Sequence, residues 1–438
     1  MIRKITNSKI TICFALLVLL FSCNNNTVTS QASKVDHSTL VVSSAGNLYN
    51  YNLDEKKVSW EYTGKFDTDG NRNYFAIDGE QIFMPYESGK FISFNVNTGK
   101  ILWQQEIFGK ENDVMEMSSG EDDQAEMLNE LKPLFMTTPL VDGDNVLINS
   151  TGRPNQSMGY LYNFNKTTGK RLWAQELPTV FNYFAPVKYI DNYFVNSAVY
   201  LEMFTPKTGT STSYGMFDGD AEIAGEPVQN NPPNQFASPI YSQMQTDGKS
   251  IFIGDENGKF YCFQLDKNGS VPGGDITDPK NTFINNPKIF KWIFSDEEYS
   301  FQKNNITFLT KDALFVEMKT GSADKSCIFA LNPGDGKVIW KKVVAGDINN
   351  WALHGDKIAG STDDLLFWME ANGQNYAEVK IDSKPLSNME WTDNNHLIYI
   401  TKKGIENIDI GNKKSTLIFS KDVQENEHNN VQIKFLGK

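Results

Sequence analysis

Short runs in which apolar and aromatic residues alternate with polar ones recur along the chain. Each is followed by a cluster of Asn, Asp, Gly, Thr or Lys and then by a second alternating run that ends at tryptophan. Gly159–Trp173 (GYLYNFNKTTGKRLW) is the clearest copy, and Gly89–Trp103, Gly46–Trp60 and Ser326–Trp340 have the same length. A two-residue alternation predicts strands and the polar cluster predicts a tight reversal, so each copy reads as a β-hairpin. Thr98-Gly99, Thr168-Gly169 and Asp335-Gly336 put glycine where the chain must take positive φ to turn between twisted strands. Upstream of each hairpin lies another strand pair, plainest in Thr137–Ser150 with a turn at Asp142-Gly143. One unit is therefore four antiparallel strands.

The closing tryptophans are Trp60, Trp103, Trp173, Trp292 and Trp340. Weaker copies keep Thr208-Gly209 but have Ser213 in place of Trp, keep Asn372-Gly373, run from Gly404 to Ile418, or start at Gly258 and resume at Lys288–Trp292, which brings the total to eight. Four-stranded units spaced by about 40 to 50 residues predict an all-β, eight-bladed β-propeller. The first hairpin, at Leu40, is preceded only by SKVDHS, too polar for an inner strand. The first blade thus lacks a strand, and Val431–Leu436, which resembles the expected inner strands near Asn304 and Asn349, supplies it and closes the ring.

Hydrophobic residues make up 39% and aromatics 12% of the 438 residues, enough to fill broad spaces between blades. The repeat overrides the several domains that length alone suggests, and residues 37–438 are expected to form one propeller domain. A formal charge of −13 opposes phosphate backbones and makes nucleic acid an unsuitable partner. Residues 1–22 read as an export signal: Arg3, Lys4 and Lys9 precede an apolar run, Ile10–Leu20, that is short for a membrane span. Leu20-Phe21-Ser22-Cys23 resembles a bacterial lipobox, which implies a lipid on Cys23 and membrane attachment, with residues 23–36 as a polar tether. Asn24 after that cysteine is compatible with sorting to the outer membrane.

Cys13 falls within the signal, and Cys262 and Cys327 read as buried thiols in consecutive blades. His37, His354, His396 and His428 are scattered, and no CxxC or HExxH motif is present, so neither a metal nor a cofactor is expected.

Gly159, Leu161, Tyr162, Phe164, Asn165, Thr168, Gly169, Lys170, Leu172 and Trp173 together resemble the pyrroloquinoline-quinone-like propeller repeat, and the resemblance covers most of the chain after about residue 40. It implies that the five closing tryptophans dock blade on blade and are structural. Two kinds of protein carry this repeat. Quinone-dependent dehydrogenases hold their cofactor over a metal ion at the hub and typically add adjacent cysteines; this chain has no Cys-Cys pair and no evident ligand set. The other kind is non-enzymatic, and with its signal and blade count the chain is similar to the lipoprotein component B family of the outer-membrane β-barrel assembly machinery. That resemblance implies a monomeric, lipid-anchored scaffold that binds an envelope protein. A quinone-dependent dehydrogenase with divergent ligands and a carbohydrate-binding propeller remain the alternatives.

Function is expected where the chain departs from its repeat. Residues 109–133 are acidic, with Glu121, Asp122 and Asp123 opening a short helical pattern, and read either as a solvated cap on a blade or as a partner surface. Residues 219–236 and 270–287 read as loop insertions. Phe181, Tyr183 and Phe184 lie between the third and fourth repeats and form either an aromatic platform or blade-junction core.

Overall fold

The computed structural model describes residues 35–65, 74–86, 89–107, 132–152, 158–198, 200–215, 240–256, 258–267, 290–300, 306–322, 324–425 and 430–437. These residues form an all-β ring of eight antiparallel sheets. The regular blade has four strands, as in the second: Ala76–Asp78 innermost, then Gln81–Tyr86, Lys90–Asn95 and Ile101–Glu106. The third blade departs from this by one strand, because Leu134–Phe135 pairs with Asn145–Thr151 beside the regular inner strand Leu140–Asp142. Asn350–His354 and Thr307–Leu309 are the inner strands of the seventh and sixth blades.

Blade 1 takes its inner strand from the C-terminus. Gln432–Leu436 pairs antiparallel with Thr39–Ser44, in a register that sets Thr39 opposite Leu436 and Ser43 opposite Gln432. Both neighbours hold this strand. The Asn388 side chain of blade 8 donates to the Ile433 carbonyl at 3.0 Å and accepts from the Ile433 N–H at 2.8 Å. On the other side Gln432 accepts from the Phe75 N–H at 2.6 Å and donates to the Phe75 carbonyl at 3.4 Å, next to the inner strand of blade 2. Gln243 clamps Ala185 in the same two-bond fashion between blades 5 and 4. A primary amide suits this task because it presents a donor and an acceptor side by side, matching one residue of exposed backbone.

The core is distributed among the blade junctions: each of the eight apolar clusters joins two neighbouring blades. Middle strands are therefore covered on both faces; all six residues of Thr39–Ser44 and of Asn192–Ser197 are buried. Polar residues there are sealed in, and pairing offsets the cost of their burial. Asn50 donates to the Val96 carbonyl of blade 2 at 2.9 Å, and Asn196 donates to the Ser242 carbonyl beside blade 5 at 3.2 Å. Cys262 and Cys327 are buried free thiols in one such junction, where burial raises their pKa values to about 11 and about 12.

Candidate interaction face

Because successive strands of a blade run antiparallel, their connections alternate between the two faces of the ring. The inner-to-second and third-to-outer turns share one, here called the turn face. The second-to-third turns and the links to the next blade share the other, the linker face.

The five tryptophans lie toward the turn face. Each indole Nε1–H donates to a carbonyl in the following blade's hairpin: Trp60 to Val96, Trp103 to Lys166, Trp173 to Pro206, Trp292 to Pro333 and Trp340 to Ala371, at 2.8–3.1 Å. Beneath each ring lies a turn glycine, Gly99, Gly169, Gly209, Gly336 or Gly373, with φ between 68° and 83°. A Cβ at any of the five would sit 2.6–2.8 Å from the indole. Glycine is needed there both for the left-handed turn and for the close approach of the ring.

On the linker face the connection between blades 3 and 4 carries Phe181, Tyr183 and Phe184. Phe181 is 51% exposed, while the other two are half-buried. A fourth ring, Tyr241 at 40% exposure, joins them from the start of blade 5. Ring centroids lie 6.3 Å apart for Phe181–Tyr183, 6.4 Å for Tyr183–Tyr241 and 5.3 Å for Phe184–Tyr241. Phe181 and Tyr241 thus stand largely in water, while Tyr183 and Phe184 are partly covered.

Its backbone is held from below. Asn149 Nδ2 donates to the carbonyls of Asn182 and Phe184, both at 3.1 Å, and the buried Asn182 receives the Ser197 hydroxyl at 2.5 Å. Thr151 donates its hydroxyl to the Val180 carbonyl, and Gln243 clamps Ala185. A Cβ at Gly159 would lie 2.3 Å from Asn182 Nδ2 and 2.5 Å from the Ser150 carbonyl, so that position must stay glycine for the link to seat. Aromatic groups on such a fixed support present contact area at little cost in ordering.

Glu202, on the third strand of blade 4, enters the same neighbourhood from inside, two residues from the half-exposed Tyr200 at the linker face. It is 2% exposed, and burial raises its carboxyl to about pKa 7, opposed by a hydrogen bond from Ser213; its Oε1 has no partner. The native state therefore holds a proton that the unfolded chain has released between about pH 4.5 and 7. Stability from this group is present below that window and falls as pH rises through it. Glu202→Gln is expected to raise the melting temperature at pH 8, by an effect on the order of 2 kcal/mol, and to change it little at pH 5. Equal shifts at both values in thermal unfolding would contradict the assignment.

Carboxylates near the hub are each held by a lysine. Asp78 pairs with Lys166 at 2.8 Å, Asp142 with Lys188 at 2.9 Å and with the Tyr193 hydroxyl at 2.8 Å, and Glu390 with Lys434 at 3.3 Å. Among the described residues no three His, Cys, Asp or Glu side chains gather to hold a metal ion. No helix among them is long and apolar enough to cross a membrane. Cys23, Glu121, Asp122 and Asp123, like residues 219–236 and 270–287, lie outside the described residues; His428 does too. Ile107 and Lys132, which flank the acidic segment, are at the linker face, where the Ile107 N–H donates to the Gly89 carbonyl at 2.5 Å. Sequence reasoning missed Tyr241, Glu202 and the amide clamps.

Comparison with known proteins agrees with this architecture. Residues 25–129 match the family described as outer membrane protein assembly factor BamB. Among solved structures, BamB from Moraxella catarrhalis is similar at a TM-score of 0.54 and 13% identity, over 88% of this chain and 94% of that one. The dihydro-heme d1 dehydrogenase NirN is similar at 0.58 and 10% identity, over 94% and 78%. Quinohemoprotein alcohol dehydrogenase from Comamonas testosteroni gives 0.53 and 12%, over 94% and 75%. An uncharacterized protein of Rickettsia conorii, RC0314, is 22% identical over 239 residues, 53% of this chain. The chain spans about half the length of that curated relative, 51%. The protein has a pyrroloquinoline-quinone-like β-propeller fold, similar to that of BamB.

Proposed function

We propose that this chain is a non-enzymatic lipoprotein of the bacterial envelope, anchored through Cys23 to the outer membrane, that binds a protein partner and serves as a scaffold in outer-membrane protein assembly. The observation that carries the reading is the aromatic group on the linker face, Phe181, Tyr183, Phe184 and Tyr241, exposed on one edge and fixed from beneath by Asn149, Asn182 and Gln243. Large aromatics grouped in water favour a partner, since covering them removes apolar area from solvent. The match of residues 25–129 to the BamB family supports the same reading.

The test is affinity capture from detergent-solubilised envelopes, comparing the full-length lipidated protein with a Phe181→Ala/Tyr241→Ala variant. Both changes are at exposed rings, so the melting curve should stay within a degree or two while recovery of a specific partner falls by about ten-fold or more. Undiminished recovery with the variant, or no specific partner with the parent protein, would sink the proposal. Glycan-array binding lost in the same variant would instead assign the platform to sugars, and calcium-dependent dye reduction with added quinone would restore the dehydrogenase reading.

A further inference from the structure

The place where the chain enters the ring decides which face an N-terminal anchor draws toward its membrane. Val35 packs with Trp60, Phe94 and Val96 in the cluster between blades 1 and 2. The Asp36 N–H donates to Asn97 Oδ1 at 3.2 Å, and the Ser38 carbonyl accepts from the Leu53 N–H at 3.0 Å. Leu53 lies in the third-to-outer turn of blade 1, between Asn47–Asn52 and Lys57–Thr63, and Asn97 in that of blade 2, between Lys90–Asn95 and Ile101–Glu106. Residues 35–38 are therefore on the turn face, from which Thr39–Ser44 runs through the ring to the linker face. The aromatic group of Phe181, Tyr183, Phe184 and Tyr241 is on that opposite face.

Reach separates the two ways of setting a face toward lipid. Residues 23–35 span at most about 40 Å when fully extended, and a polar coil of that length averages about 20 Å end to end. To bring the linker face to the membrane, this segment would first run outward past two strands, from Thr39–Ser44 to the outer strand Lys57–Thr63, about 10 Å at the spacing of paired strands. It would then descend the length of that outer strand, about 23 Å. A path of about 33 Å leaves almost no slack, and a chain drawn nearly straight keeps few of its conformations. With the turn face toward lipid no such detour is needed.

We propose that the anchored propeller holds its turn face toward the membrane and its linker face, with the aromatic group, away from it. The inference rests on lipidation of Cys23, part of the function proposed above. Its consequence for the platform is that Phe181 and Tyr241, though exposed aromatics of the kind that settle at a membrane interface, are turned from the lipid and do not act as a second anchor.

Energy transfer from a dye on the protein to a dye on lipid headgroups tests it, with full-length lipidated protein floated on vesicles of phosphatidylethanolamine and phosphatidylglycerol. Cys262 and Cys327 are buried and Cys23 is blocked once lipidated, so a single introduced cysteine takes the label. Two exposed turns of blade 6 place it at opposite faces: Asp312→Cys on the turn face and Ser322→Cys on the linker face. The turn-face label should lie about 20 Å nearer the lipid, read as the higher transfer efficiency. Inserting about 20 Gly/Ser residues after Ser33 should erase most of that difference, because the detour then costs little extension. Phe181→Ala/Tyr241→Ala should leave transfer at both positions unchanged. Equal transfer at the two faces, as from a ring lying on its rim, higher transfer at Ser322→Cys, a difference untouched by the longer segment, or an orientation altered by the aromatic substitutions would overturn the proposal. Loss of flotation, or a Cys23 without lipid by mass spectrometry, would instead sink the anchoring itself and the orientation with it.

Discussion

Removal of residues 431–438 will abolish cooperative unfolding of the propeller near its parent temperature. Val431, Ile433 and Leu436 are buried in the two clusters that flank blade 1, and each contributes about 1.5–3 kcal/mol on burial. The strand also completes the ladder along Thr39–Ser44 and the amide contacts of Asn388 and Gln432, at about 0.5–1.5 kcal/mol for each hydrogen bond. Together these come to about 10 kcal/mol, comparable to the whole stability of a typical domain. Its loss also bares the Thr39–Ser44 edge, a template for association. Circular dichroism and light scattering against temperature should show a low, broad, concentration-dependent transition. A peptide of residues 430–438 added in trans should recover part of the lost signal, because the vacant edge is specific in register. A truncated chain that melts as the parent does would show that closure depends on other contacts. Ile433→Ala, a milder version, should cost about 2–5 kcal/mol.

The alternating hairpins, their glycine turns and the late inner strand were legible because each follows from a two-residue period or a turn requirement that neighbouring residues satisfy by themselves. That code fails in the middle strands. Leu201-Glu202-Met203 reads as an alternation with its charge toward water, yet blades pack on both faces and Glu202 is sealed in the junction with blade 3 while Leu201 and Met203 face blade 5. Tyr241 was beyond reach for a different reason: it meets Phe184 across 57 positions of chain, through the placement of two blades. Gln243 and Asn388 stand in polar stretches and Gln432 at a polar position of its strand, where an amide carries no signal, and only the ring brings a neighbour's backbone within their reach. Lys56 and Lys413 occupy glycine's place in the turn, a substitution that makes sense only once the covering indole is known to be missing.

That relation between glycine and indole yields the second large effect. Trp103→Ala should destabilise the protein by about 3–5 kcal/mol, since the ring is buried against Phe83 and Phe91 and donates to the Lys166 carbonyl at 2.8 Å. Gly169→Ala should also destabilise, for two separable reasons: φ of 68°, and a Cβ 2.6 Å from the Trp103 ring. Deleting the indole removes the clash but leaves the backbone cost. The double variant should therefore lose less stability than the sum of the single ones, by an amount measurable in a denaturant cycle. Lys56, at φ 55° in a turn that no indole covers, shows that a residue with a Cβ can hold this turn, at a backbone cost of about 1–2 kcal/mol, where no ring lies beneath it. Gly169→Lys should accordingly be less well tolerated beside Trp103 than beside Ala at that position. Strict additivity of the two substitutions would mean that the tryptophan does not dictate the glycine, and that the pairing of the two residues at five junctions reflects the turn alone.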